Sequence, residues 1–198
     1  YKWLTIGDGF YGSDAILIKN LASELNIIPS DISHNLLEKA VELNFFEKFL
    51  TINAESIEID DEEFEVVFCK EAFHHFPKAY VGLYEMIRIS KEIIILMEPM
   101  DQFPKSIFQR IKDYFLFSEN NYFEEVGNFV FSISPNEIFK IAAGLQLNSF
   151  YYKGYEDFYT KKFEFWNISK SINVYWIMVF IKKILSLIGY KKNGHIAI

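Results

Sequence analysis

One cysteine, Cys69, stands in a chain of 198 residues. No internal disulfide can form, and the usage fits a reducing cytoplasm. Positive charge is scarce: 20 Lys and Arg face 27 Asp and Glu, for a formal net charge of −7. Without a basic stripe there is no footprint for a nucleic-acid backbone. Long apolar runs are missing as well. The longest, Val174 to Ile181, is closed by Lys182 and Lys183, well short of the roughly 20 residues that a bilayer span needs. It reads as part of a packed or interfacial helix, not an integral membrane span. There is no internal repeat, no low-complexity linker and no visible signal peptide. The initiator methionine is absent too, so a segment upstream of Tyr1 is expected to be missing or trimmed.

Hydrophobic residues make up 51% of the chain and charged residues 24%, which fits one soluble domain with a sizeable core. Aromatics are plentiful, with 21 Phe and 12 Tyr. They could line a ligand pocket or the face of a homodimer, or simply fill a Phe-rich core.

Apolar strands alternate with helical stretches, the signature of βαβ units and a mainly parallel sheet. Strands are expected at Trp3–Ile6, Ile27–Ser30, Phe49–Ile52, Phe64–Cys69 and Ile93–Met97. Pro29 weakens the second, and the apolar run of the fifth predicts burial on both faces. Helices are expected from Ser13 or Asp14 toward Leu25, with Ala15, Ile18, Leu21 and Ala22 on one face, from Ser33 through Leu43, and after Pro77. The acidic stretch Glu58–Glu63 reads as a solvated turn. Past Asp101, Phe103–Asn128 reads as helical and aromatic. Ser134-Pro135-Asn136-Glu137 has the spacing of a capping box and starts a helix ending near Gly144. Leu147–Tyr152 follows as a strand, Ile172–Ile188 as a long apolar helix and Gly194–Ile198 as a last strand.

Gly7, Gly9 and Gly12 form a G-x-G-x-x-G loop between the first strand and helix. Glycines permit the tight turn and let the backbone approach a ligand closely. Asp31 lies 22 residues past Gly9, about where a ribose-binding acid belongs. The pattern fits NAD, FAD and S-adenosylmethionine (SAM) sites alike. Asp8 tilts it. A carboxylate there would repel a pyrophosphate seated on the helix N-terminus, but suits a ligand with a sulfonium and an ammonium.

With these residues in view, the chain resembles the class I SAM-dependent methyltransferases, especially their small-molecule branch, from about Trp3 to Asp101. LTIGDGFYG sits at the family's SAM loop, and SDISHNLLEKA resembles its ribose-binding motif. NAESIEIDDEEFEVVFCKEAFHHF resembles the adenine-bordering turn and the fourth strand with its active-site loop. LYEMIRISKEIIILMEPMD resembles the helix and fifth strand that follow. The resemblance implies an α/β Rossmann-like fold: a mainly parallel seven-stranded sheet with helices on both faces, an antiparallel last strand and an aromatic-rich helical insertion after strand 5. It implies a SAM-binding core over 1–101, a substrate or cap segment over 102–170, and a closing helix and last strand over 171–198.

It also implies residue roles. Gly7 and Gly9 approach the methionine part of SAM, and Asp31 accepts the ribose hydroxyls. Ala54 and Glu55 flank the adenine, with Ile32 as a packing face. Lys70 stands beside the cofactor at the end of the fourth strand. Two departures stand out: Thr5 occupies the position where the family usually has an acid, and Gly12 comes one position late. Asp8 is the candidate substitute for that acid.

Lys70, Glu71, His74 and His75 cluster after the fourth strand, where ligands of open α/β sheets bind. Methyl transfer gains rate from alignment alone, and a base is needed when the acceptor must lose a proton. His75 and His74 are the candidate catalytic bases; the alternative is that one is a loop residue bonded to backbone. Adjacent histidines seldom ligate one ion, so no metal is expected. Cys69 reads as a small core residue. Glu98 and Asp101 either face the acceptor or solvate a strand end. Residues Phe103–Trp166 are where acceptor specificity is expected, with a dimer face or extra core layer as the alternative.

The implied activity is methyl transfer to a small-molecule or glycan-precursor acceptor in the cytoplasm. The rivals are a catalytically silent SAM-fold scaffold and an NAD-dependent oxidoreductase.

Overall fold

The computed structural model describes residues 1–99, 131, 133–155 and 195–197. Its elements are β1 (Lys2–Ile6), α1 (Ser13–Leu21), β2 (Asn26–Asp31), α2 (His34–Glu42), β3 (Leu50–Thr51), β4 (Phe64–Lys70), a 3-10 turn (Phe73–His75), α3 (Ala79–Ile89), β5 (Ser90–Pro99), α4 (Pro135–Gly144), β6 (Lys153–Tyr155) and β7 (His195–Ala197). The strands lie in the order β3-β2-β1-β4-β5-β7-β6. From β3 to β5 every pairing is parallel. β7 runs antiparallel to β5, and β6 antiparallel to β7. This is a Rossmann-like α/β sheet.

Side-chain alternation along the strands divides the core. Leu4, Ile6, Ile28, Val67, Cys69 and Leu96 pack on one face against α3 and α4, through residues such as Leu83, Met86 and Ile138. Trp3 and Ile27 pack on the other, against Ala15 of α1 and Ala40 of α2. Period-2 alternation makes one strand serve both layers.

Pro29 proves compatible with a strand. It sits opposite Thr5 of β1, whereas β3 pairs only with Ser30 and Asp31. On its far side β2 is therefore still an edge where proline falls, and the missing N–H costs no ladder bond there. α1 is shorter than expected: it stops at Leu21, which is 81% exposed, and among its residues only Ala15 is fully buried. β5 is longer than its apolar run, and the run is not buried on both faces. Leu96 and Glu98 are buried, while Ile93 is exposed. Leu147–Tyr152 forms no strand; its residues are mostly exposed, and β6 begins only at Lys153. Without buried partners the apolar residues there gain little from pairing.

The capping box forms as its spacing predicts. Ser134 Oγ accepts from Glu137 N at 3.3 Å, and Glu137 Oε2 accepts from Ser134 N at 3.1 Å. The acidic turn is solvated but pinned. Arg88 of α3 donates to the carbonyls of Ile57 and Ile59 and to Asp61, each at 2.7 Å. The expected helices over 103–128 and 172–188, and with them the insertion after β5, lie outside the described residues. Among the described residues, no helix is long and apolar enough to cross a membrane.

Candidate functional site

A cleft of about 360 Å³ opens at the C-terminal ends of β1, β2 and β4, a volume within the range of small-molecule sites. Ile6 and Gly7 come from the end of β1, and Asp31 and Ile32 from the end of β2. Asn53, Ala54 and Glu55 come from the turn after β3; Glu71, Ala72, His75 and Phe76 from the loop after β4.

Close backbone approach explains two of the glycines. A Cβ on Gly7 would lie 2.3 Å from the Ala72 Cβ, and Gly7 has φ +75°. The glycine loop thus leans directly on the loop after β4. A Cβ on Gly9 would lie 2.7 Å from the Asp31 carboxyl carbon, so Gly9 leaves room for that carboxylate beside the cleft. Asp31 Oδ1 accepts from Ser33 N at 2.7 Å. That bond steers the chain from β2 into α2, and the exposed side chain of Ile32 lines the cleft.

The opposite wall is a short turn. Asn53 Oδ1 accepts from Glu55 N at 3.0 Å, and Ser56 N donates to the Asn53 carbonyl at 2.9 Å. Ala54 is buried beneath it. Glu55 lines the cleft and its Oε1 accepts from Lys78 N, at the start of α3. Gly82 lets α3 come close: a Cβ there would lie 2.9 Å from the Phe76 ring.

Asp8 does not line the cleft. It is 4% exposed and turns inward, where its carboxylate accepts from Thr5 Oγ1 at 2.9 Å, Asp14 N at 3.1 Å and Ala15 N at 2.9 Å. It caps the first turn of α1 from six residues upstream, and Thr5 is its hydroxyl partner. Burial raises the Asp8 carboxyl to about 6, against the lowering pull of those amides and that hydroxyl. The tilt away from a dinucleotide therefore has a different physical basis from charge repulsion. The Asp14 and Ala15 amides of α1, which a pyrophosphate would use, already hold a carboxylate.

Lys70 is likewise outside the cleft lining. Its Nζ pairs with Asp14 Oδ1 at 3.0 Å, tying β4 to α1. Burial works against the charged ammonium, but the hydrogen bond and charge of Asp14 prevail and raise its pKa.

The two histidines separate. His75 is exposed and lines the cleft. His74 is buried, and its Nδ1 lies 2.6 Å from Glu98 Oε2. The two rings touch, with centroids 4.0 Å apart. Glu98 is fully buried; its Oε1 accepts from Ala72 N at 3.1 Å and Phe73 N at 3.0 Å, and the Cys69 thiol donates to it at 3.7 Å. Burial, and then the Glu98 charge, push the Cys69 thiol well up, so this thiol is a core group and not a nucleophile. Asp101 lies outside the described residues. Among those described, no three His, Cys, Asp or Glu side chains gather as a metal site.

Sequence reasoning missed Asn53, Phe76 and the inward role of Glu98. The Asn-Ala-Glu-Ser turn could have pointed to Asn53, since Asn readily bonds the backbone two residues on. Nothing in sequence marks Phe76 or turns Glu98 inward.

Residues 4–93 match the family described as a methyltransferase domain. The matched span holds every cleft residue named above. Several solved structures share the fold. A methyltransferase candidate of Bacillus halodurans C-125 is 17% identical with a TM-score of 0.59, over 79% of this chain and 66% of that one. The YcgJ protein of Bacillus subtilis is 21% identical with a TM-score of 0.55, over 78% and 63%. A SAM-dependent methyltransferase of Thermotoga maritima is 19% identical with a TM-score of 0.52, over 79% and 69%. The chain thus spans just under two thirds of the length of the first two. No curated protein matches it in sequence.

Proposed function

We propose that this chain transfers a methyl group from SAM to a small-molecule or glycan-precursor acceptor, since residues 4–93 match the family described as a methyltransferase domain. The observation that carries the reading is the cleft itself. A carboxylate, Asp31, stands beside the glycine loop at its mouth, and apolar Ile32, Ile52 and Ala54 line it. That donor set suits an adenosine: two adjacent hydroxyls for the acid and a flat ring for the apolar walls.

Asp31 accepts the ribose hydroxyls. Ile32 and Ala54 pack the adenine, with Glu55 at its edge. Gly7 and Gly9 let the backbone come close to the amino-acid end. SAM supplies an electron-poor methyl group on a sulfonium sulfur. The chain's own residues align the acceptor and exclude water, which is where much of the rate arises. His75, at the cleft wall, takes the proton from an acceptor that must lose one. Asp8 and Lys70 serve the site indirectly, by fixing α1 against β1 and β4.

The test is calorimetric titration of the chain with SAM, S-adenosylhomocysteine and NAD, each alone. Binding of both adenosyl ligands and none of NAD supports the proposal, and Asp31→Ala should then weaken both by at least about tenfold. Tight NAD binding without SAM binding overturns it in favour of a dinucleotide enzyme. SAM binding without turnover across a broad acceptor panel favours a silent scaffold.

A further inference from the structure

Glu98 is not used by the reading above, and it lies beyond the matched span 4–93. Yet four groups beside the cleft bond to it. One oxygen collects two consecutive backbone amides, Ala72 N and Phe73 N, and the Cys69 thiol; the other holds the His74 ring. The Oε2–Nδ1 contact of 2.6 Å ties the His74 ring directly to the carboxyl group. Glu71 N adds a bond to the Met97 carbonyl at 2.9 Å. The end of β5 therefore fastens four residues in a row, 71 to 74, of the loop after β4.

Glu71 in that loop adopts φ +51°, a left-handed conformation uncommon for a non-glycine residue. Ala72 meets the glycine loop at Gly7, and the His74 ring backs His75. Both Glu71 and His75 line the cleft.

We propose that Glu98 is a positioning residue for the acceptor side of the cleft: through the Ala72 and Phe73 amides and the His74 ring it sets where His75 stands. This rests on the methyltransferase reading for its catalytic meaning, but not for its geometry. Glu98→Gln keeps an oxygen for the two amides and replaces the carboxyl oxygen facing His74 with an amide NH2 group. His74→Phe keeps a ring against His75 and removes the Nδ1 bond.

The experiment reads the His75 imidazole resonances by NMR in the ligand-free full chain, original and variant, and then S-adenosylhomocysteine affinity. Both substitutions are expected to shift or broaden the His75 signals, while ligand affinity falls by less than the about tenfold expected of Asp31→Ala, because Asp31, Ile32, Ala54 and Glu55 come from β2 and the turn after β3. Unchanged His75 signals in a folded Glu98→Gln chain overturn the proposal. If that variant does not fold, unchanged signals in His74→Phe overturn it equally. Failure of the original chain to bind S-adenosylhomocysteine would strike the methyltransferase reading instead, since the His75 signals are read without ligand.

Discussion

Asp8→Asn tests how an acid inside the glycine loop behaves when it caps a helix and faces away from the cleft. In the fold the Asp8 carboxyl titrates near 6, against 3.8 for an ordinary aspartate, chiefly because it is buried. The sign follows from which state holds the proton more tightly. Between those two values the folded chain binds it and the unfolded chain does not, so the Asp8 contribution to stability falls as pH rises from about 4 to about 6. Above 6 the full cost is present, about 3 kcal/mol for a gap of this size. From about pH 4.5 to about pH 7.5 the change amounts to about 2 kcal/mol, as an order of magnitude. Asparagine has no charge to bury. It keeps an oxygen for Ala15 N and Thr5 Oγ1, which share Oδ2, but turns an amide donor toward Asp14 N, a loss of roughly 1–3 kcal/mol at any pH. Urea unfolding of both chains at the two pH values isolates the effect. The stability of the original relative to Asp8→Asn should drop by about 2 kcal/mol on going to the higher pH. A difference that stays flat with pH would refute the argument, and would mean that the Asp14 and Ala15 amides fully offset the burial of the charge.

Gly9→Ala should leave the fold nearly intact and weaken S-adenosylhomocysteine binding by about tenfold or more, because its methyl group would lie 2.7 Å from the Asp31 carboxyl carbon and force that side chain to move; paired calorimetry and thermal melts separate the two effects. Ser134→Ala removes one side of the capping box and should cost about 1 kcal/mol in denaturant unfolding, with cofactor affinity unchanged.

Much of this protein was written in local chemistry. The apolar strand segments alternating with helical periodicity dictated an α/β sheet, because each pattern can bury its apolar side in only one kind of layer. The glycine loop, Asp31 and the Ala54-Glu55 turn were legible for a similar reason. The glycines and Asp31 stood out by spacing, Ala54 and Glu55 through the resemblance to a known family, and the topology brings them to one end of the sheet. Ser134 and Glu137 announced their capping box by spacing alone.

What only the tertiary structure decided is where side chains point. Asp8 lies between two glycines, and a sequence cannot say whether its carboxylate faces a ligand or the amides of α1; in the fold, after Gly7 at φ +75°, it turns inward onto those amides. His74 and His75 are chemically identical neighbours, and a single 3-10 turn puts one against Glu98 and the other in the cleft. Glu98 itself looked like a strand-end acid. Its burial depends on a loop from another strand folding over it, a contact between residues more than 20 positions apart. Pairings of that kind follow from which strands are neighbours in the sheet, and no local pattern contains them.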